Sequence, residues 1–244
     1  MIICEIGLNH MGNKKYSDKY LNTLLETNCD AITYQIREKE FYQRDKYKGF
    51  DFSFDYYSSL IQKLKGKKKF GVALANKNMI TECESIGVDF YKVLSWDLKD
   101  YDYITNLLDK TSKHIYVSTG TSSLSDLDKF HKRFGNINRL SFIHTQLTFE
   151  AKDTNLKSIQ TISDKYNIPV GYGNHCKNLN TMYSSLSFNP SDIWFYVKGL
   201  DYKTHPDEIH SVPLNEVGKF VENLKEVNLS IGDGWKKNTN TKGY

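Results

Sequence analysis

The sequence predicts a single α/β domain, a closed (β/α)₈ barrel of the TIM type. Short runs rich in β-branched and aromatic residues alternate eight times with amphipathic segments, and this alternation requires parallel strands joined by helical crossovers. The 244 residues are an ordinary length for one such barrel. A doubly wound open sheet is the alternative. It usually needs fewer strands, and the glycines of the first loop, residues 7–12, lack the spacing of a dinucleotide-binding turn.

The predicted strands and helices follow one another regularly along the chain. The strands are placed at residues 2–6, 31–35, 70–74, 90–94, 114–117, 140–143, 170–172 and 193–197. The helices are placed at residues 16–26, 79–86, 101–108, from about 123, 156–166 and 214–225. Two helix starts have specific support, because Ser123 and Asp126 have the capping-box spacing and Pro213 suits a first helical position. Residues 37–55 are predicted to form a long irregular loop, and such loops are usually covers or binding loops.

Composition narrows the class of protein. We expect the barrel to occupy residues 1–232 and a loose tail to occupy residues 233–244. The 33 Lys and Arg residues are interspersed with 29 Asp and Glu residues, which argues against a nucleic-acid surface, although a local basic face could attract an anionic metabolite. No stretch approaches about twenty apolar residues and no signal-like leader begins the chain, so we expect a cytoplasmic protein without a membrane segment. The four cysteines lack metal-type or disulfide-framework spacing, which is typical of reduced, buried thiols.

Two neighbouring predicted strands lead into a histidine. His144 follows the sixth predicted strand, and His175 follows the seventh about thirty residues later. Adjacent strands of a parallel barrel place such ends at the same rim. Two neutral imidazoles there can hold one divalent metal and leave coordination positions open. The alternative is that each histidine is a hydrogen-bonded core residue, which is the commoner state of a lone histidine at a strand end.

The other strand ends also carry polar side chains, of several chemical kinds. The candidates are Glu5, Gln35, Lys92, Ser95, Asp97, Ser118, Thr119 and Lys198. Such a mixture suits an anionic substrate beside a metal. Lys92 lies in an apolar run, where an unpaired ammonium is costly, so we expect either a bound anion or a salt bridge to Glu5. The hydroxyl cluster that begins at Ser118 can either hold an anion or cap the following helix.

Several motifs occur in an order that points to one family. They are Glu5-Ile6-Gly7-Leu8-Asn9-His10-Met11-Gly12, Lys92-Val93-Leu94-Ser95-Trp96-Asp97-Leu98, Ser118-Thr119-Gly120, the run that ends in His144, Gly171-Tyr172-Gly173-Asn174-His175, and Pro206-Asp207 before His210-Ser211. Over about residues 2–232 the chain resembles the sialic acid synthases, a family of phosphoenolpyruvate-dependent nonulosonate synthases. The first motif and the paired histidines are the specific part of this resemblance, whereas Ser-Thr-Gly alone is a weak signal.

The resemblance implies an enzyme that condenses phosphoenolpyruvate with the aldehyde of an N-acylated amino sugar and releases phosphate. It implies that His144 and His175 hold Mn²⁺, with Mg²⁺ or Co²⁺ as alternatives, and that Glu5, Lys92 and Asp97 are catalytic. The implied substrate contacts are Gln35, Lys92, Ser95, Ser118, Thr119 and Lys198. We also expect a homodimer, or a partner that supplies the small C-terminal antifreeze-like domain of the family, which this sequence does not include.

Several positions depart from the family pattern. Thr33 stands where the family has a lysine, Ala73 lies where Ser-Thr-Pro-Phe is usual, Asn174 replaces an aspartate and Gly199 replaces a histidine. Each lost charge-assisted contact costs about 1.5–3 kcal/mol of binding. Two alternatives therefore stay open: a non-catalytic barrel that acts as a binding or scaffold protein, and a metal-dependent enzyme that acts on a different aldehyde.

Overall fold

A computed structural model describes residues 1–235 and contains the closed barrel that the sequence predicts. Within that range, eight parallel strands pair in chain order, and the first closes the circle by pairing with the eighth. They are β1 Ile2–Gly7, β2 Ala31–Ile36, β3 Lys69–Leu74, β4 Phe90–Val93, β5 His114–Ser118, β6 Leu140–His144, β7 Val170–Gly173 and β8 Ile193–Lys198. Closure excludes the open-sheet alternative. Most of the predicted tail, residues 236–244, lies outside the described part of the chain.

Helices cover the outside of the barrel. They are α1 Lys14–Leu25, α2 Lys39–Tyr42, α3 Phe54–Leu64, α4 Ile80–Ser85, α5 Tyr101–Lys110, α6 Leu124–Phe134, α7 Ser158–Tyr166, α8 Asn180–Ser185 and α9 Val217–Ile231. The predicted capping box at the start of α6 is confirmed, because Ser123 and Asp126 bond reciprocally. All four cysteines are free and buried. Of the helices in residues 1–235, none combines the length and the apolar character that a membrane crossing requires.

Three details of the prediction are wrong. Residues 37–55 are not wholly irregular, because they contain α2 and the start of α3, for which Ser53 is the N-cap. Helices α3 and α8 were not predicted. The last helix begins at Val217 rather than at residue 214, because Val212–Pro213 forms a short strand, β9, beside β8. Pro213 needs no donor there, and the next amide, that of Leu214, donates to the Lys198 carbonyl oxygen at 2.7 Å.

The barrel interior is filled by layers of inward-facing side chains. The layer near the amino ends of the strands is an apolar cluster formed by Ile3, Ala31, Phe90, Tyr116, Ile143 and Trp194. Because side chains alternate along a strand, residues two positions further on also point inward. Glu5 and Lys92 take these places on β1 and β4 and form a buried pair above the apolar layer. The carboxyl ends of the strands therefore deliver polar side chains to one mouth of the barrel.

The long segment after β2 is anchored to the loop after β1 by a close backbone contact. Gly12 has a φ of +70°, and a Cβ there would lie 2.0 Å from the Gly49 carbonyl oxygen. Residue 12 is thus a glycine for two reasons: its φ is positive, and there is no space for a Cβ. Phe41 and Phe50 of the same segment pack with Leu8 in a small buried cluster. These contacts hold the segment against the mouth of the barrel.

We predict that Gly12→Ala destabilises the protein by about 2–5 kcal/mol, the sum of a positive-φ penalty and an overpacking cost. Gly49→Ala is the matched control, because Gly49 also has a positive φ, +77°, but a Cβ there meets nothing within 4 Å. The control should lose only about 1–2 kcal/mol. Urea unfolding of the two variants measures the difference, and equal losses would argue against the backbone contact.

Candidate active site

Two of the cavities lie at opposite ends of the barrel. The larger, about 790 Å³, is lined by residues that precede the strands, among them the lysine-rich turn at residues 65–69. The smaller, about 240 Å³, lies at the carboxyl ends of the strands and contains five of the predicted site residues. Enzymes with this fold build their chemistry at the carboxyl-terminal face. The smaller cavity is therefore the candidate active site, in spite of its size.

The cavity has a polar floor and a largely apolar rim. The floor consists of Gln35, Lys92, Ser95, Ser118 and His175, which the sequence predicts as site residues. The rest of the lining is Leu8, Arg37, Phe41, Tyr47, Leu94, Trp96, Leu147, Tyr196, Pro206 and Asp207. Three of these rim residues belong to the segment 37–55, so that segment covers part of the mouth.

A buried ion pair lies at the centre of the floor. Lys92 Nζ lies 2.5 Å from Glu5 Oε2, and the two side chains are 5% and 4% exposed. The ammonium group also lies 5.2 Å from the ring centroid of Trp194 and 5.8 Å from that of Tyr196, within the range of cation–π attraction. We expected Lys92 either to bind an anion or to form a salt bridge with Glu5, and the structure contains the salt bridge. Because Lys92 also lines the cavity, its charge remains available to a bound anion.

Two hydroxyl groups line the same cavity as Lys92. Ser95 Oγ and Ser118 Oγ are 2.9 Å apart, and the Gly120 amide donates to Ser95 Oγ at 3.1 Å. The cap of α6 is Ser123, so capping and cavity lining are divided between different hydroxyls of the predicted cluster. Two hydroxyls and an ammonium group in one cavity can hold a phosphate or a carboxylate.

A second carboxylate, Asp207, reaches the cavity from the loop after β8. Burial, with a contribution from the charge of Glu5, raises the pKa of Asp207 to about 7. Gly7 allows this approach, because it has a φ of +56° and a Cβ there would lie 2.7 Å from Tyr196 Cε1 and 3.5 Å from Asp207 Oδ2. Asp207 can therefore both give and accept a proton near neutral pH, at the edge of the cavity.

The two predicted metal ligands lie in different surroundings. His175 lines the cavity two residues after β7, and its ring centroid lies 4.6 Å from that of His210. His144 is the last residue of β6, and it faces away from the barrel interior because Ile143 before it faces inward. Its Nε2 lies 3.0 Å from the Thr154 carbonyl oxygen. Metal ligation by His144 stays a prediction.

His175 and the neighbouring His210 supply imidazoles that suit a divalent metal, but they do not make a complete set of protein ligands. Within residues 1–235, no group of three or more His, Cys, Asp or Glu side chains is arranged to hold an ion, so an ion here would need water or substrate oxygens as further ligands. Burial lowers the pKa of His175 to about 3 and that of His210 to about 4. Both rings are therefore neutral, which is the form that binds metals.

Besides Glu5 and His144, three more predicted site residues lie outside the cavity lining. Asp97 lies 3.7 Å from Lys77 Nζ, and burial raises the pKa of its carboxyl group. Thr119 Oγ1 donates to a β6 carbonyl oxygen at 3.1 Å. Lys198 is ion-paired with Glu208 in the loop after β8. Their catalytic and substrate-binding roles stay predictions, since each side chain would have to exchange its present partner for a substrate.

The sequence analysis missed three residues at or beside the cavity: Arg37, Asp207 and His210. The Arg37 guanidinium lies 4.2 Å from the ring centroid of Phe41 and 5.4 Å from that of Trp96, and its side chain is only 14% exposed. Its place directly after β2 was a usable signal, because the same rule selected the other candidates. Asp207 and His210 belong to the last of the motifs that carry the family resemblance, but they were assigned no role because they lie on a long loop that folds back toward the mouth.

The fold and this mouth together define the class of protein: a (β/α)₈ enzyme whose buried cation and hydroxyl groups suit a small anion. A comparison with protein-family models narrows the class, because the model described as the NeuB family matches residues 15–236. The chain belongs to the NeuB family. This result confirms the predicted resemblance.

Individual relatives agree with this assignment. The N,N'-diacetyllegionaminic acid synthase of Campylobacter jejuni is 20% identical, over 97% of this chain and 79% of the relative. The N-acetylneuraminate-9-phosphate synthase of Mus musculus is 24% identical, over 97% of this chain and 72% of the relative. The crystal structure of N-acetylneuraminic acid synthetase from Leptospira borgpetersenii in complex with citrate has a TM-score of 0.89 at 21% identity, covers 98% of this chain and 87% of that chain, and confirms the fold. The prediction of a synthase-type enzyme is confirmed.

The positions that depart from the family pattern have structural surroundings of their own. A Cβ at Gly199 would lie 2.2 Å from Tyr16 Oη, so the tyrosine takes the space of a side chain at residue 199. The Asn174 amide donates to a carbonyl oxygen in the following turn at 3.0 Å, and Ala73 packs in a small apolar cluster. Thr33 Oγ1 is buried without a hydrogen-bond partner among the described residues. Of the four, only Thr33 leaves a polar atom unpaired at the barrel interior.

We predict that Lys92→Met lowers the free energy of unfolding by about 3–5 kcal/mol at pH 7, because it leaves the Glu5 carboxylate buried without its cation. Adding Glu5→Leu removes both charges and should recover most of the loss. Chemical denaturation measures both variants. Lys19→Met breaks an exposed pair with Asp201 and serves as the control, with little expected change. If Lys92→Met changes the free energy of unfolding as little as this control does, the buried pair does not stabilise the fold as predicted.

Proposed function

We propose that the protein is a nonulosonate synthase, which condenses phosphoenolpyruvate with the open-chain aldehyde of an N-acylated amino sugar and releases phosphate. One observation carries the proposal: Lys92, paired with Glu5, lines the same cavity as two serine hydroxyls at the mouth of a barrel of the NeuB family. The relatives named as synthases of legionaminic acid and of N-acetylneuraminate 9-phosphate support a sugar acid of this class as the product.

Phosphoenolpyruvate carries a phosphate and a carboxylate, so its site needs several donors. Lys92, Ser95 and Ser118 supply an ammonium and two hydroxyls in one cavity. Arg37 adds a guanidinium at the rim, and its planar fork can bind a carboxylate or phosphate through two bonds. In our proposal Arg37 replaces the anion contact that the family draws from the lysine at the position of Thr33.

The remaining residues have assignable roles in the reaction. The enol carbon attacks the aldehyde carbon, water adds to the cationic carbon that results, and phosphate leaves. Glu5 presents its negative charge to that cationic carbon. Asp207, whose pKa burial raises to about 7, gives or accepts the protons of the aldehyde oxygen and of the water. A divalent metal, Mn²⁺ with Mg²⁺ or Co²⁺ as alternatives, would polarise the aldehyde oxygen when bound, and His175 would hold it at the cavity wall.

The proposal also gives a role to the apolar rim of the cavity and includes an oligomeric state. Phe41, Tyr47 and Trp96 narrow the mouth and would limit the entry of water during the reaction. We propose that the protein acts in the cytoplasm as a homodimer, or with a partner that supplies a second covering domain.

Phosphate release tests the proposal. The protein is incubated with Mn²⁺, phosphoenolpyruvate and a panel of amino sugars that includes N-acetylmannosamine and its 6-phosphate. We expect phosphate release that requires both substrates, and thermal stabilisation by phosphoenolpyruvate alone. If no sugar supports turnover and phosphoenolpyruvate does not stabilise the protein, the synthase proposal is wrong and the scaffold alternative is favoured.

We predict that Arg37→Met raises the KM for phosphoenolpyruvate about tenfold or more, because the loss of a charge-assisted contact costs about 1.5–3 kcal/mol. The KM for the sugar should change less. Arg44→Met is the matched control, because Arg44 also lies over the Phe41 ring, at 5.2 Å, but is exposed outside the cavity lining. Steady-state kinetics of both variants measures the effect, and a similar KM in the two would remove Arg37 from the anion site.

A further inference from the structure

His210 is a buried histidine whose two ring nitrogens lack hydrogen-bond partners among the described residues. It is 5% exposed, and within residues 1–235 neither Nδ1 nor Nε2 has a hydrogen-bond partner. Buried polar atoms in native proteins are almost always paired, and an unpaired one marks the place of a water, an ion or a ligand. The ring therefore needs an occupant that the protein itself does not supply.

The neighbours of His210 show what kind of occupant fits. Its ring centroid lies 4.6 Å from that of His175, and both rings contact Tyr196. Asp207 Oδ1 lies 3.8 Å from His210 Nε2. Two imidazoles, from the loops after β7 and β8, thus lie side by side at the cavity that His175 lines. This donor chemistry is that of a divalent metal site.

His144, by contrast, already has its contacts within the outer layer of the barrel. Its ring stacks on Tyr172 with 6.4 Å between the centroids, and both residues point away from the interior. Its Nε2 contact with the Thr154 carbonyl oxygen, at 3.0 Å, requires that nitrogen to be an N–H donor. A carbonyl contact of this kind also supports ligating histidines, but the His144 ring points away from the barrel interior, whereas the His210 ring lies against His175, which lines the cavity.

We propose that His175 and His210 are the two imidazoles that hold the divalent metal in this protein, and that His144 is a structural residue. Two protein ligands leave the other coordination positions to water and substrate oxygens, as a catalytic ion requires. The inference rests on the proposed function for the purpose of the metal, but the site can be tested without substrate.

Metal titration of three matched variants tests the proposal. Metal-free wild type, His144→Gln, His175→Gln and His210→Gln are titrated with Mn²⁺, and free Mn²⁺ is followed by electron paramagnetic resonance. We expect at least about a tenfold loss of affinity in the His175 and His210 variants, because even the loss of a supporting contact costs about 10–100-fold. The His144 variant should stay within about twofold of wild type. His131→Gln, on α6, is the control, and circular dichroism without metal checks the fold.

A spectroscopic variant addresses the ligand directly. His210→Cys loaded with Co²⁺ should show a thiolate-to-cobalt charge-transfer band if residue 210 coordinates the ion. The absence of this band, unchanged affinity in His210→Gln, a tenfold loss in His144→Gln, or a wild-type protein that binds neither Mn²⁺ nor Co²⁺ would each overturn the proposal.

The phosphate-release assay separates this proposal from the proposed function. Turnover by wild type together with unchanged metal affinity in His210→Gln overturns the metal site and leaves the synthase intact. Metal binding that depends on His175 and His210, without turnover on any amino sugar, supports the site and overturns the synthase.

Discussion

The ion pair between Lys92 and Glu5 is the interaction on which the rest of the structure depends. It joins β4 to β1 across the interior of the barrel, over the two strands that lie between them. A well-packed apolar pair of similar volume would usually give equal or greater stability, since two charges must be removed from water. The pair is therefore not explained by stability alone. Its cation at the cavity floor fits the proposed function, in which an anionic substrate would share it.

Several of the residues around the Lys92–Glu5 ion pair are small. Gly7 lies next to Tyr196 and Asp207 with no room for a Cβ, and its positive φ coincides with an irregularity in the register between β1 and β2. A larger residue would displace the tyrosine that flanks Lys92 and the carboxylate that has a raised pKa. Ala73 and Thr33 likewise leave the neighbouring strands without long side chains.

The fold could be predicted from the sequence because the signals were local. Strand-length apolar runs and helical spacing gave all eight strands of the closed barrel, and the Ser123 capping box gave a helix start to the residue. The floor of the site was also predictable, because barrel geometry brings strand ends together. The same alternation that points Ile143 inward places His144 outward, which the position of His144 at the end of a strand does not by itself reveal. Contacts made by the loop after β8 depend on tertiary packing, which no local pattern encodes.

That loop connects a departure from the family pattern with the new histidine. Because Gly199 has no side chain, Tyr16 fills the space beside it, and Tyr16 Oη lies 2.8 Å from His205 Nε2. His205 Nδ1 lies 2.8 Å from Glu208 Oε2, so this chain of contacts fixes the loop on both sides of its turn. His210 follows two residues later and is thereby held against the wall of the cavity. In our metal-site proposal, His210 supplies an imidazole from this loop, whereas Gly199 at the end of β8 has no side chain to offer.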